Sequence, residues 1–235
     1  MVEDIRAAGR EKQASIIAID GPSGAGKGTV ARAVAERLQY RHVDTGAMYR
    51  AVAWKALQGR LDLRDEHAVA ELAERGNFDL EDGRVAIDGQ DVARAIRTPE
   101  IDRAAALVAR LPAVRRALVA KQRQIGSPGS VVMEGRDIGT VVFPDAAVKI
   151  YLDASPEERA KRRASDPAHA ASSTRAIGDV AIALAERDRS DSTRTDSPLA
   201  MAPDAIHIET TGIPIEHVVE RVLEVVRASL ARNDG

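Results

Sequence analysis

One short segment restricts this chain more than any other: Gly21-Pro22-Ser23-Gly24-Ala25-Gly26-Lys27-Gly28-Thr29. It follows an apolar, β-branched stretch, Ser15–Asp20. It opens the stretch Lys27–Leu38, where Val30, Ala33, Val34 and Leu38 recur at helical spacing. A glycine-rich turn between strand and helix lets successive backbone N–H groups converge on phosphate oxygens without Cβ clashes. The helix N-terminus adds partial positive charge, and Lys27 adds a point charge for the outer phosphates. All nine positions are therefore expected to hold ATP. The segment departs from G-x-x-x-x-G-K-[ST] at one place. Gly28 follows the lysine, and the hydroxyl comes one residue later at Thr29.

Further apolar runs read as strands: Tyr40–Val43, Ser130–Glu134, Ala147–Asp153 and Ala205–Glu209. Most are nearly continuous in apolar residues, as parallel strands covered on both faces are. Helical patterns lie between them, at Gly46–Leu57, Glu66–Glu74, Pro99–Arg110, Pro112–Gln124, from Ser155 onward, Thr174–Arg189 and Ile215–Arg232. Thr98-Pro99 and Ser155-Pro156-Glu157-Glu158 are helix starts, with a hydroxyl cap and proline in the first turn. The alternation predicts an α/β fold with a mainly parallel sheet and right-handed crossovers. Phe78–Arg97 breaks it. Asp-Gly pairs at 82–83 and 88–89, each between short apolar segments, predict a small antiparallel insertion. One domain is expected over 14–235, after a disordered tail at 1–13.

Composition narrows the function. The 34 Lys and Arg face 36 Asp and Glu, and aromatic residues make up 3%. A net charge of -2 does not suit a general nucleic-acid binder, and stacking platforms are scarce. Cysteine is absent, which excludes disulfides, thiolate zinc sites and thiol nucleophiles. Met1–Gln13 has no apolar core of a signal peptide, and no apolar run is long enough to span a membrane. A cytoplasmic protein with no membrane or nucleic-acid partner is expected, and a monomer, since no extended apolar stripe is left over.

Arginine is concentrated instead in short motifs. Asp44-Thr45-Gly46-Ala47-Met48-Tyr49-Arg50 follows the second strand, with Thr45 placed to cap the next helix and offer its hydroxyl to a phosphate. Glu134-Gly135-Arg136-Asp137-Ile138-Gly139-Thr140 follows the third. Both lie at the carboxyl edge of the sheet, where open α/β folds bind ligands. In Glu186–Arg194, residues Arg187, Asp191 and Arg194 share one helix face if the helix persists. Several arginines in one place suit a second phosphate beside ATP, because the guanidinium fork binds phosphate bidentately. Glu134 is either a carboxylate near magnesium or a structural acceptor, and Asp20 is placed to cap the phosphate-loop turn. The five histidines show no ligand spacing, and His207 is expected to be packed within its strand. No residue is assigned as a metal ligand. An Asn/Thr-Lys-x-Asp guanine reader is absent. A small kinase acting on another acceptor, and an ATP-binding regulatory module, are the readings that remain beside a nucleotide kinase.

The Gly-Lys-Gly-Thr loop resembles that of nucleoside-monophosphate kinases. Together with D-[ST]-G-A-x-Y-R, I-R-T, P-x-V-R, the run Gly135–Ala146 and R-D-x-x-D-x-x-R, in this order, it makes the chain similar to the bacterial cytidylate kinase family from about Ile16 to the C-terminal helix. The resemblance implies a P-loop kinase with a five-stranded parallel sheet, flanking helices, an acceptor-binding insertion at 76–98 and a helical lid at 157–175. It implies transfer of the γ-phosphoryl group of ATP, with Mg²⁺, to CMP or dCMP. Thr45, Arg50, Arg136 and Arg194 would hold the acceptor phosphate, and Arg187 and Asp191 its ribose. Arg115 and Asp137 would read the cytosine edge, and Arg97 would lie at the mouth of the insertion. Lys27, Arg136, Arg194 and Arg163 would act on the transferring group. Arg159, Arg162 and Arg163, at helical spacing in the lid, would close over ATP, with Arg159 contacting it. The family places a serine six residues before the proline of P-x-V-R; this chain has Ala106 there.

Overall fold

The computed structural model describes residues 15–80, 83–166 and 177–233. The expected tail at 1–13, Asp82 of the first predicted turn, and the part of the expected lid from 167 to 175, with Thr174, lie outside them. Five strands form one parallel sheet: β1 (Ile16–Asp20), β2 (Arg41–Asp44), β6 (Val131–Glu134), β7 (Val148–Asp153) and β8 (Ile206–Glu209). Their order is β2-β6-β1-β7-β8. β1 is central, with Ile19 opposite both Glu134 of β6 and Ile150 of β7. The carboxyl ends of β1, β2 and β6 therefore open at one edge, and the phosphate loop and both arginine motifs leave from it.

The sheet divides the core into two layers because successive side chains of a strand point to opposite faces. Ala18, Val131 and Met133 pack on one side with α2 (Thr45–Gln58), α3 (Glu66–Arg75), α4 (Pro99–Val108) and α5 (Pro112–Gly126). Ile17, Ile19, Val132 and Ile150 pack on the other with α1 (Lys27–Leu38) and α8 (Ile215–Asn233). Burial on both faces explains the nearly continuous apolar runs. Met133 and Leu118 are fully buried; truncating such a residue to alanine costs about 2–5 kcal/mol. Two more helices, α6 (Pro156–Ser165) and α7 (Ile177–Ser192), pack on each other beside the loop. Among the described residues no helix is long and apolar enough to cross a membrane.

The insertion is a small antiparallel sheet of β3 (Phe78–Asp79), β4 (Ala86–Ile87) and β5 (Gln90–Asp91). Asp88 and Gly89 join β4 to β5 with φ of 51° and 79°, the left-handed pair that a two-residue hairpin needs. Thr98 caps α4 and Ser155 caps α6, each accepting from the backbone N–H three residues on. The cap of α2 differs from expectation. Asp44, not Thr45, accepts from Ala47 N–H, and Thr45 is already the first helical residue. A carboxylate serves a helix N-terminus better than a hydroxyl, and this frees Thr45 for another contact.

Candidate active site

A single cavity of about 860 Å³ lies over the carboxyl edge of the sheet. Its walls include Ser23 to Thr29 of the phosphate loop and Thr45, Arg50, Arg97, Arg115, Arg136, Asp137, Arg163, Arg187, Asp191 and Arg194. Segments more than a hundred residues apart meet there. Cationic side chains outnumber carboxylates in this lining, although the whole chain is slightly acidic. Gly21 and Pro22, at the start of the loop, and Arg159, all also expected at the site, do not line the cavity.

The donor end is shaped by close backbone approach. Gly21 has φ of +146°, and a Cβ there would stand 2.0 Å from the carbonyl oxygen of Leu152. Gly24, at φ +81°, would put a Cβ 2.9 Å from Arg159 O. The loop therefore lies directly on β7 and α6. Gly28 answers a different constraint: a Cβ there would be 3.1 Å from Glu134 Oε1. The carboxylate at the end of β6 fills the space that a larger residue after the lysine would take. Lys27 is buried and donates to Pro22 O at 2.7 Å. Burial, with Arg136 nearby, pushes its amine down to about 7.

Asp20 does not cap the loop turn. Its two carboxylate oxygens accept from Ile138 N–H and Gly139 N–H at 2.8 and 2.7 Å, which holds a single turn of π-helix, Ile138–Val142. Burial raises its carboxyl to about 6 despite these two bonds. Short π-helical turns recur at functional sites, and this one follows Arg136 and Asp137. Glu134 is 3.1 Å from His42 Nε2.

At the acceptor end most of the arginines are held by carboxylates, while Arg97 donates to Ala93 O at 3.2 Å. Arg50 donates to Asp44 at 2.7 Å, Arg115 to Asp137 at 2.5 Å, and Arg136 Nε to Asp191 at 3.0 Å. Arg194 Nη1 is 3.3 Å from the other oxygen of Asp191 and its Nη2 donates to Ser197 O. Although burial pushes the Asp191 carboxyl up, Arg136, Arg194 and Arg187 hold it below the usual range. Arg187 Nη1 lies 3.8 Å from Asp102; burial and Arg136 push its guanidinium down to about 10. Arg115 stacks over the Tyr49 ring at 5.5 Å. Beside this pair the wall is apolar: Ala105, Ala106 and Ala109. The buried Nε atoms of Arg50, Arg115 and Arg194 lack hydrogen-bond partners, so the site has donors in reserve for a ligand.

Several expectations need correction. Thr45 donates its hydroxyl to Glu134 O at 2.7 Å, so it ties α2 to β6 in this state rather than waiting for a phosphate. α7 ends at Ser192, so Arg194 reaches Asp191 from the following turn and not from a shared helix face. Arg159, Arg162 and Arg163 do not act as one face. Arg159 is buried and donates to Ala154 O, Ser23 O and Asp188. Arg162 donates to Thr210 and Glu158, and Arg163 to Asp102. The first turn of α6 is thus bound to the back of the loop through Arg159, while Glu158, Arg162, Arg163 and Asp166 line the cavity. His207 is exposed rather than packed, on the open face of the β7–β8 pair, with ligand atoms of Asp153 and Glu209 within 4.8 Å. Strand pairing, invisible in residue spacing, brings those three together outside the cavity. Asp102, Asp188 and Thr210 have no role in the sequence motifs, yet they hold Arg163, Arg159 and Arg162. Asp188 lies inside the motif at 187–194, and Thr210 follows a strand end; both were signals available in the chain.

The family model described as Cytidylate kinase matches residues 17–228. A cytidylate kinase from Solibacter usitatus (strain Ellin6076) is 49% identical, over 91% of this chain and 92% of the relative. One from Pelotomaculum thermopropionicum is 47% identical, over 93% and 97%. One from Bacillus subtilis (strain 168) is 47% identical, over 92% and 97%. Among solved structures, a shikimate kinase from Bacteroides thetaiotaomicron shares the fold, at TM-score 0.51 and 11% identity, over 91% of this chain and 98% of that one.

Proposed function

The chain belongs to the cytidylate kinase family, and from that premise we propose how its residues perform the transfer. It is a kinase that phosphorylates CMP with ATP. An oxygen of the CMP phosphate attacks the γ-phosphorus, the bond to the ADP oxygen breaks, and CDP and ADP leave. The attacking oxygen already carries negative charge, so no general base is assigned. What the protein must supply is position and charge.

The loop amides from Gly24 to Thr29 and Lys27 hold the donor phosphates. Arg50, Arg136 and Arg194 hold the acceptor phosphate, and Arg187 lies over the ribose. Arg115 and Asp137 face the base. A carboxylate that accepts from the exocyclic amine of cytosine leaves uracil, which has only an acceptor there, with a repulsive contact. Arg163 faces the gap between donor and acceptor. Arg159 serves ATP indirectly, by fixing Ser23. Asp191 is a counter-ion of Arg136 and Arg194 first and a ribose contact second. The single observation that carries this reading is the one cavity that joins the phosphate loop to a paired Arg115–Asp137 at its far end.

Magnesium fits the donor set. Glu134 and the Thr29 hydroxyl are hard oxygen donors in the cavity wall, and Mg²⁺ takes one or two such groups with substrate phosphates. Asp20 does not line the cavity, and its two oxygens accept backbone N–H groups of the π-helical turn. When bound, the ion would offset charge on the phosphates. Residues 76–98 serve as the acceptor-side insertion. Residues 157–175 serve as the lid over ATP, tied to the loop through Arg159 at Ser23 O and through Arg162 at Ala25 O. A cytoplasmic monomer that also accepts dCMP completes the reading. The test is ADP release with Mg²⁺-ATP across CMP, dCMP, UMP, AMP, GMP and dTMP. Strong turnover with CMP and dCMP and little with the purines is expected. Turnover with none of the six would overturn it.

A further inference from the structure

Asp188 belongs to neither subsite, yet it touches the donor loop from the helix that serves the acceptor. Its Oδ1 accepts from Ser23 N–H at 3.0 Å. Its Oδ2 accepts from Arg159, which in turn donates to Ser23 O at 3.0 Å and Ala154 O at 3.1 Å. Gly24 lies against the Arg159 backbone. The loop, the first turn of α6 and α7 are therefore joined at one partly buried carboxylate. On α7, Arg187 immediately precedes it. Asp191, three residues on, holds both Arg136 and Arg194.

We infer that Asp188 is a positioning residue that couples the two subsites, so that nucleotide in the donor loop sets the helix that orders the acceptor arginines. The Ser23 amide belongs to the loop that wraps the donor phosphates, so an adjustment of that loop on binding is transmitted through a hydrogen bond to α7. The Arg159 pair keeps the carboxylate from swinging free. By linkage the effect is reciprocal: CMP bound against Arg187 and Asp191 stabilises the loop in the form that ATP prefers. The inference rests on the assignment of the two subsites made above.

The test is calorimetric titration of CMP into the full chain, with and without a saturating non-hydrolysable ATP analogue and Mg²⁺. In the wild type the analogue is expected to tighten CMP by about fivefold or more. In Asp188→Ala that factor should fall to within about twofold of none, while CMP affinity without the analogue stays within about threefold of wild type. A carboxylate that only neutralised Arg159 would lower the melting temperature and leave the factor unchanged. Asp188→Asn keeps an oxygen for Ser23 N–H but loses the charge, and its factor should fall between the two. Wild-type coupling in either folded variant overturns the proposal; if the alanine variant does not fold, the asparagine variant decides. Wild-type protein that binds both ligands with a factor of one overturns the coupling alone. Failure to bind CMP at all overturns the subsite assignment and this inference with it.

Discussion

The two ends of the cavity are built by different means. The donor end is one continuous stretch of chain, Gly21 to Thr29, held by backbone geometry and by glycines that lie on β7 and α6. The acceptor end is collected from α2, α5, the turn after β6, and α7, and Arg115 and Arg136 are held by carboxylates 22 and 55 residues away in sequence. One end is therefore intolerant of added atoms, and the other of lost charges. In the first a single Cβ displaces backbone. In the second, removing one arginine takes a charge partner from a buried carboxylate while the surrounding scaffold stays in place.

The comparison is broken most severely at Gly21. An alanine there would carry a Cβ 2.0 Å from Leu152 O, at a φ of +146° that side chains avoid. Gly21→Ala is expected to abolish ATP binding or to prevent folding, measured by calorimetry and by thermal denaturation. Wild-type ATP affinity in a folded variant would show that the loop is less tightly bound to β7 than the structure has it. At the other end the largest effect belongs to Arg136, which sits between Asp191 and Lys27. Arg136→Ala should lower kcat by about 10²-fold or more, the range for removing one stabilising donor, with the fold intact. A loss below about threefold would remove Arg136 from the transfer step.

The same contrast decided what could be read in advance. The loop, the strand ends and the hairpin at Asp88-Gly89 are local, because a few neighbouring residues carry the whole signal. The five-stranded sheet follows from apolar runs alternating with helical ones. The counter-ions do not follow. Asp20 is 118 residues from the Ile138 amide it accepts from, and Ser23 is 165 from Asp188. No periodicity links such pairs. Arginines are legible because phosphate recognition demands them, and the spacing of four and three from Arg187 through Asp191 to Arg194 suggests which acid is near. That Asp191 holds Arg136 as well as Arg194, and that Arg159 turns behind the loop, depends on how α6 and α7 pack on the sheet. The cap of α2 is ambiguous in sequence for a smaller reason. Asp44 and Thr45 both suit an N-cap, and only the turn of the chain after β2 selects between them.

A subtler way to sharpen the contrast is through pH, since the donor end carries one titratable cation. Burial and Arg136 push Lys27 down to about 7 in the free protein. Bound phosphates favour the charged amine and raise that value. ATP affinity should then be flat below pH 7 and weaken by up to about tenfold per unit above it, with uptake of a proton near pH 8. The sign for folding differs. Unfolded Lys27 titrates near its ordinary 10.5, so between about pH 7 and 10.5 the unfolded chain binds the extra proton, and stability from this group rises with pH. Calorimetry of ATP binding in two buffers of different ionisation enthalpy reads the proton directly. Lys27→Met should remove the uptake, and equal heats in both buffers for the wild type would contradict the assignment.

The smallest effect sits at the far end of the acceptor subsite. Arg115 and Asp137 are fixed to each other at 2.5 Å, while the adjoining wall is made of Ala105, Ala106 and Ala109. A base entering there meets its polar readers on one edge and apolar surface beside them. On the proposed assignment, discrimination between cytosine and uracil rests on the Asp137 carboxylate and the Arg115 fork. A hydroxyl at 106 would add one hydrogen bond, of about 0.5–1.5 kcal/mol net. Ala106→Ser is therefore expected to raise the ratio of kcat/KM for CMP over UMP by roughly 2- to 10-fold, mainly through a lower KM for CMP. The effect should add to, and not replace, the loss of discrimination in Asp137→Asn, because the two contacts would be made by different side chains to one base. An unchanged ratio in Ala106→Ser would mean that the base lies against the Arg115–Asp137 pair and away from α4, and that the alanine wall only excludes water.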